Sequence, residues 1–289
     1  MFHSEDHQSY QFLKWRRSDW KRQEIPTKFG ISFIEQLLPK SRILFSAAGE
    51  FLMSPMAIDY IEYAGRCGHT PMLLTNGLLL TSDISARLLD LGVSTFIISI
   101  DGWQKDFYDN LRLRSDFQTV INNVAQLRRL RDQKSKAAII NINSILLAQL
   151  EPYKEEIVSF WTDKVDQLSF LAERLDYCGA PRKTIIEPPP VKLCFALLEG
   201  PLLLSNGLVA PCCSTAIGEW FEPMPWLLSV EHVPLTEIVR SYREMMLNDD
   251  SPLRLYCRKC HFGTNSYWQN GKSSFCEIHQ FVSTSKINR

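Results

Sequence analysis

The chain has 289 residues, enough for two domains or for one α/β barrel with an appendage, and in either case it can bury a hydrophobic core. It carries 32 Lys plus Arg and 32 Asp plus Glu, so no overall basic field exists to hold a nucleic acid. No apolar run approaches the roughly 18 residues that span a bilayer, and residues 1–17 are too polar for a signal peptide. We expect a cytoplasmic protein that binds neither nucleic acid nor membrane.

Segments with helical and strand-like periodicity alternate from about Phe29 to Ala172, which is typical of βα units and a parallel sheet. The predicted helices are Phe29–Leu38, Pro55–Gly65, Ser82–Leu91, Ser115–Asp132 and Pro152–Thr162. The predicted strands are Arg42–Ala47, Pro71–Thr75, Thr95–Ile100, Ala138–Leu146 and Val165–Leu171, apolar enough to be buried on both faces. Ser115 and Gln118 have the spacing of a capping box at the start of the longest helix.

The alternation stops after Leu171, and a proline-rich stretch that ends near residue 190 indicates a linker. Asn206-Gly207 between two apolar runs, Pro201–Ser205 and Leu208–Cys212, predicts a β-hairpin with Cys212 at its end. A helix over about Thr236–Leu247 follows.

Eight cysteines are the compositional anomaly, and six of them lie between Cys194 and Cys276. A long chain without a secretion signal is unlike a small disulfide-stapled protein, so this segregation suggests a metal site. The candidate ligands are Cys194, Cys212, Cys257 and Cys260, of which the last two form a Cys-x-x-Cys pair. Thiolates suit both a 4Fe-4S cluster and zinc, so the spacing leaves both open, together with structural cysteines that bind nothing. Cys213 is the alternative to Cys212, and Cys276 is a candidate for a further ligand.

The C-terminal cysteine pattern resembles the SPASM domain of radical S-adenosylmethionine (SAM) proteins. In that domain a first Cys is followed by a hairpin of the type D/N-G-x-V-x-P-C-C, a helix and a Cys-x-x-Cys. The same order runs here from Cys194 through Asn206-Gly207-Leu208-Val209-Ala210-Pro211-Cys212-Cys213 to Cys260. The resemblance implies a 4Fe-4S auxiliary cluster held by Cys194, Cys212, Cys257 and Cys260.

Three motifs of the N-terminal half are similar to the same family. Phe45-Ser46-Ala47-Ala48-Gly49-Glu50-Phe51-Leu52 resembles its Gly-Gly-Glu-Pro strand end, which contacts the SAM amino group, with Ala48 at the first Gly and Phe51 at the Pro. Thr75-Asn76-Gly77 with Leu80-Thr81 is similar to its T-N-G-x-L-L-T turn. Ile98-Ser99-Ile100-Asp101-Gly102, with Tyr108 and Arg112, is similar to its S-x-D-G strand end near the SAM ribose. The SAM contacts that this resemblance implies are Gly49, Glu50, Ser99 and Asp101.

The family's catalytic cluster is held by a Cys-x-x-x-Cys-x-x-Cys loop that would precede the helix at Phe29, and residues 1–28 contain no cysteine. Two interpretations remain: a degenerate relative that kept the scaffold and the auxiliary cluster, or a chain whose true first strand lies upstream. No catalytic residue is predicted.

We therefore expect an α/β protein with a segment lacking the cluster motif (1–28), a partial (β/α) radical-SAM-type barrel (29–180) and a C-terminal SPASM-type iron-sulfur domain (181–289). The expected function is 4Fe-4S binding, with a SAM-cleaving site that is degenerate. One alternative is an active radical SAM oxidoreductase, or an enzyme that modifies a peptide or a small-molecule metabolite, whose core motif lies outside this chain. Another is a zinc-stabilised binding module. The candidate partners are such a substrate and a partner radical SAM enzyme.

Overall fold

A computed structural model describes residues 24–47, 49–112, 115–172, 200–216, 223–259 and 276–280. The chain divides into two compact units. The described residues of the first unit lie within 39–172 and 276–280, and those of the second lie within 24–38, 200–216 and 223–259. The residues that flank the expected boundary at 180/181 lie outside the described part.

The first unit is built on a six-stranded sheet with the order β1-β2-β3-β4-β5-β9. Its strands are β1 (Arg42–Phe45), β2 (Thr70–Thr75), β3 (Thr95–Ser99), β4 (Ile139–Leu146), β5 (Gln167–Ala172) and β9 (Cys276–Gln280). Neighbours from β1 to β5 are parallel, and β9 pairs antiparallel with β5. The parallel α/β sheet and its five predicted strands are confirmed, whereas β9 was not predicted because nothing local marks its five residues as a partner of β5.

The helices of the first unit follow the strands in the βα order. They are α2 (Ala57–Arg66), α3 (Ser82–Asp90), α4 (Lys105–Leu111), α5 (Phe117–Gln133) and α6 (Lys154–Trp161), with short 3-10 turns at Phe51–Met53 and Glu151–Tyr153. Four of these helices match predicted ones, and the short α4 was not predicted.

The predicted cap of α5 is wrong by one residue. Asp116, and not Ser115, precedes the helix: its Oδ1 accepts a hydrogen bond from the backbone N–H of Gln118 at 3.0 Å. The Ser115 hydroxyl donates instead to the Tyr108 hydroxyl at 2.9 Å. A carboxylate caps a helix at least as well as a hydroxyl, and its charge also suits the positive end of the helix dipole.

The two faces of the central strands differ in chemistry, because side chains alternate along each strand. One face carries fully buried apolar residues such as Phe96, Ile98 and Ile140. The other face carries a polar set that we call the polar face; its members are Ser99, Asn141, Asn143, Gln167 and Ser169.

The second unit combines α1 (Thr27–Glu35), a small antiparallel sheet and two later helices. The sheet has the order β6-β7-β8, with β6 (Leu202–Leu203), β7 (Leu208–Ala210) and β8 (Leu228–Ser229). The later helices are α7 (Leu235–Leu247) and α8 (Pro252–Lys259). The predicted hairpin and the predicted α7 are confirmed, whereas β8 and α8 were not predicted.

Helix α1 packs in the second unit, although the sequence analysis grouped it with the barrel. Phe29 and Phe33 belong to the apolar core that also contains Val209 and Ile238. The hairpin turn explains this position: Gly207 has a φ of 82°, and a Cβ there would lie 2.8 Å from the Phe29 ring. Only glycine tolerates both the backbone conformation and the close approach of the ring.

Candidate functional sites

Glu50 lies at the carboxyl edge of the parallel sheet, where α/β folds place their ligands. Its Oε1 accepts hydrogen bonds from the Thr75 hydroxyl at 2.8 Å and from the backbone N–H of Leu52 at 3.2 Å. Its Oε2 accepts from the backbone N–H of Asn76 at 2.7 Å. The carboxylate thus joins the loop after β1 to the end of β2. Each carboxylate oxygen has two lone pairs, so this half-buried group retains accepting capacity for a ligand.

Gly49 precedes Glu50 and is exposed, and a Cβ added there would meet nothing within 4 Å. The position therefore leaves room beside the Glu50 backbone.

The Thr75-Asn76-Gly77 turn is fixed from helix α5. Gly77 has a φ of 82°, and a Cβ there would lie 2.9 Å from Val120 Cγ1 and 3.0 Å from Ile98 Cγ2. The side-chain amide of Asn123 donates to the Gly77 carbonyl oxygen at 2.9 Å. The turn is visible in the sequence, whereas Asn123 carries no local signal because it lies 46 residues away along the chain.

Asp101 is wholly buried and ties β3 to β4. Its Oδ2 lies 2.9 Å from Arg112 Nε and 2.8 Å from Arg112 Nη2, and its Oδ1 accepts from the backbone N–H of Ile145 at 2.7 Å. The guanidinium also lies 5.7 Å from the centre of the Tyr108 ring. Burial raises the pKa of Tyr108, and this effect exceeds the opposing one of the nearby Arg112 charge. Since Asp101 exposes no surface, its geometry gives it a positioning role for the loop that follows Ser99.

Ser99 ends β3 and is 7% exposed. Its hydroxyl has no hydrogen-bond partner within the part of the chain that the structure describes. Its register partner on β4 is Asn143.

Side-chain hydrogen bonds connect three members of the polar face. The Ser169 hydroxyl donates to Asn141 Oδ1 at 3.1 Å, and Asn141 Nδ2 donates to Asn143 Oδ1 at 3.3 Å. Asn141, Asn143 and Ser169 were not predicted as site residues, because Asn and Ser within apolar strands form no recognisable motif. The signal that marks them is the recurrence of Asn at alternate positions of a buried strand.

Cys212 and Cys257 are both buried in the second unit, each 8% exposed. Cys212 follows β7 by two residues, and its Sγ lies 3.5 Å from the Thr215 hydroxyl. Cys257 lies on α8, and its Sγ lies 3.7 Å from Met246 Sδ. Cys213, beside Cys212, is exposed.

A direct contact joins the two segments that carry these thiols. The Tyr256 hydroxyl, on the residue before Cys257, donates to the Ser214 carbonyl oxygen at 2.8 Å. Cys194 and Cys260 lie outside the described residues, and so does the side chain of Cys276, whose backbone belongs to β9 in the first unit. Within the described ranges, no three His, Cys, Asp or Glu side chains come together as a metal site.

Tyr242 of α7 holds the hairpin that precedes Cys212. Its hydroxyl donates to the Val209 carbonyl oxygen at 2.6 Å and accepts from the backbone N–H of Leu228 at 3.1 Å. Burial raises the pKa of Tyr242 to about 12.

Replacing Tyr242 with Phe should lower the free energy of unfolding of the second unit by about 1–3 kcal/mol, because the buried Val209 carbonyl and the half-buried Leu228 N–H lose their partner. Urea denaturation of both proteins measures this difference. In the wild type, the raised pKa means that the contribution of Tyr242 is complete below pH 10 and disappears as the pH rises to about 12. Tyr153→Phe, at an exposed tyrosine, is the matched control and should change stability by less than about 0.5 kcal/mol. An equal loss in the two variants would contradict the role of Tyr242.

The first unit belongs to the α/β class, with a parallel sheet and candidate ligand residues at the carboxyl edge of that sheet. Comparisons with known proteins agree with this class. No family model matches the chain. The AdoMet-dependent heme synthase of Methanosarcina barkeri is 31% identical over 108 residues, which are 37% of this chain and 31% of that protein. The chain therefore spans less than a third of this curated relative.

Two solved structures of SuiB from Streptococcus suis share the fold at 14% identity. SuiB bound to S-adenosylmethionine gives a TM-score of 0.55 and covers 85% of this chain and 66% of SuiB. SuiB bound to the precursor peptide SuiA gives a TM-score of 0.57 and covers 83% of this chain and 62% of SuiB. These likenesses confirm the α/β fold with a parallel sheet. Among the described helices, none is long and apolar enough to cross a bilayer.

Proposed function

We propose that this chain is a cytoplasmic radical-SAM-type protein whose second unit is a SPASM-like domain with a 4Fe-4S cluster held by Cys194, Cys212, Cys257 and Cys260. The observation that carries the proposal is that two buried thiols, Cys212 and Cys257, lie on segments joined by the Tyr256–Ser214 hydrogen bond. Buried thiolates with a sulfur and a hydroxyl as neighbours suit a soft metal cluster. When bound, such a cluster supplies an electron carrier and stabilises the fold around it.

The choice of Cys212 over Cys213 follows from burial. A cluster ligand must be shielded from solvent and held by its surroundings, and Cys212 meets both conditions through Thr215. Cys213 is exposed.

The first unit, in this proposal, binds SAM at the carboxyl edge of its sheet. Glu50 keeps one lone pair, on Oε2, that an ammonium group can use, and Gly49 leaves the approach to it open. The Ser99 hydroxyl is available to a ribose hydroxyl. Asp101 acts through position, because its carboxylate is buried and holds β3 against β4.

The chain as given does not cleave SAM in this proposal. A cluster that binds SAM must leave one iron without a protein thiolate, whereas four cysteines close the proposed site. Residues 1–28 of this sequence offer no second set of cysteines. The candidate partner is a peptide or small-molecule substrate, or a partner radical SAM enzyme; the SuiB structure with its precursor peptide favours a peptide.

The test begins with anaerobically purified protein. We expect about four irons and four sulfides per chain, as a single 4Fe-4S cluster requires. Stoichiometric zinc after reconstitution with iron and sulfide would overturn the cluster assignment. The same sample, incubated with SAM and dithionite, should bind SAM without forming 5′-deoxyadenosine. Multiple turnovers that Cys257→Ser abolishes would show that one of the four thiolates is not a ligand.

A further inference from the structure

The polar face has no ionisable side chain on its three central strands. The residues of β3, β4 and β5 that point to this side are Thr95, Ile97, Ser99, Ile139, Asn141, Asn143, Ile145, Gln167, Ser169 and Leu171. All of them are neutral. A charged ligand that leaves water for such a surface loses its hydration without gaining an opposite charge, whereas a neutral hydrogen-bonding ligand does not meet this cost.

The hydrogen bonds on this face run in one direction. Ser169 donates to Asn141, and Asn141 donates to Asn143. Asn143 therefore has its oxygen occupied, and its Nδ2 group has no hydrogen-bond partner among the described residues. The row therefore ends in the half-buried Nδ2 group of Asn143, which the hydrogen bond from Asn141 orients and which is available to an acceptor on a ligand.

Ser99 adds a second unsatisfied group next to this donor. It is the register neighbour of Asn143, it is more than nine-tenths buried, and its hydroxyl has no partner within the described ranges. The Asn143 amide beside it is half-buried, so a buried hydroxyl and a half-buried amide group are both available to one bound molecule.

We infer that Asn143 is a specificity-determining residue, whose Nδ2 donates to a neutral carbonyl oxygen of a peptide bound on the polar face. The inference rests on the proposed function, because it places this carbonyl beside the proposed SAM contact at Ser99. An amide carbonyl fits better than a carboxylate: the donor is neutral, and no Lys or Arg on the three strands would compensate a negative charge.

Saturation-transfer difference NMR on the intact, anaerobically purified chain tests this inference, with N-acetylalanine methylamide as the peptide probe and sodium acetate as the charged probe. We expect saturable binding of the capped alanine and at least about tenfold weaker binding of acetate, since the described strands β3, β4 and β5 offer no cation on this face. Acetate that binds as tightly, or a capped alanine that does not bind saturably, would overturn the inference.

Asn143→Asp provides the mutational arm, because it keeps the shape of the side chain and replaces the donor with a charged acceptor. The affinity for the capped alanine should fall about tenfold or more. Asn122→Asp, at an exposed position of α5, is the matched control and should leave the affinity unchanged. Equal affinity of Asn143→Asp and the wild type would contradict the role of Asn143. Should Asn143→Asp fail to fold, as judged by circular dichroism, the two-probe comparison on the wild type decides alone.

Iron analysis of the same sample separates this inference from the proposed function. A loaded cluster without saturable binding of the capped alanine overturns the inference alone. Zinc in place of iron, with binding retained, overturns the cluster assignment alone.

Discussion

Replacing Asp101 with Asn is expected to lower the free energy of unfolding of the first unit by about 3–5 kcal/mol, the usual cost of breaking a buried ion pair from one side. The substitution keeps the size of the side chain and removes its charge. The buried Arg112 guanidinium then loses the carboxylate that it contacts through two nitrogens. Urea denaturation followed by circular dichroism measures the loss.

Asp106→Asn is the matched control for this experiment. Asp106 is exposed on α4, so the same chemical change should alter stability by less than about 0.5 kcal/mol. The double variant Asp101→Asn with Arg112→Gln should recover part of the loss, because no uncompensated charge remains buried. A loss below about 1 kcal/mol for Asp101→Asn would mean that the Asp101–Arg112 pair does not hold β3 and β4 together.

Replacing Cys257 with Ser is expected to abolish the visible charge-transfer absorption of the anaerobically purified protein. Serine removes the thiolate but changes the volume of the side chain only slightly, so a loss of absorption is due to the missing ligand. Since the binding energy of a structural metal centre is also folding energy, the second unit of this variant should unfold at lower urea concentration. Absorption spectra and iron analysis measure the first effect, and urea denaturation measures the second.

Other cysteines of the chain supply the controls for this prediction. Cys212→Ser should behave like Cys257→Ser, whereas Cys213→Ser should retain the absorption and about four irons per chain. Cys67→Ser, at an exposed cysteine of the first unit, should also retain both. If Cys213→Ser lost the cluster and Cys212→Ser retained it, Cys213 and not Cys212 would be the ligand.

The Asp101 pair shows why a motif predicts a position better than a role. The pattern Ser99-Ile100-Asp101 followed by Arg112 was visible in the sequence as a resemblance, and it suggested a contact with SAM. The structure instead engages Asp101 with Arg112 and with the backbone of Ile145, 44 residues further on. Burial decides between a ligand contact and an internal brace, and burial depends on strands that are distant in sequence.

Local pattern determined the parallel sheet, most of its helices and the Asn206-Gly207 hairpin. These features depend on residues within about one element of each other, so period and turn chemistry suffice to predict them. Elements with weak local signals were missed, namely α4, α8, β8 and β9, because their existence depends on the surfaces against which they pack.

The tertiary structure alone decided which polar groups meet. Glu50 reaches Thr75 across 25 residues, and Ser169 reaches Asn141 across 28. Strand register sets the contact between Ser169 and Asn141, and a shift of one residue would turn either side chain to the opposite face. Sequence period can place Asn141 and Asn143 on one face of β4, but only the neighbouring strands show that one amide satisfies the other and leaves a donor at the end of the row.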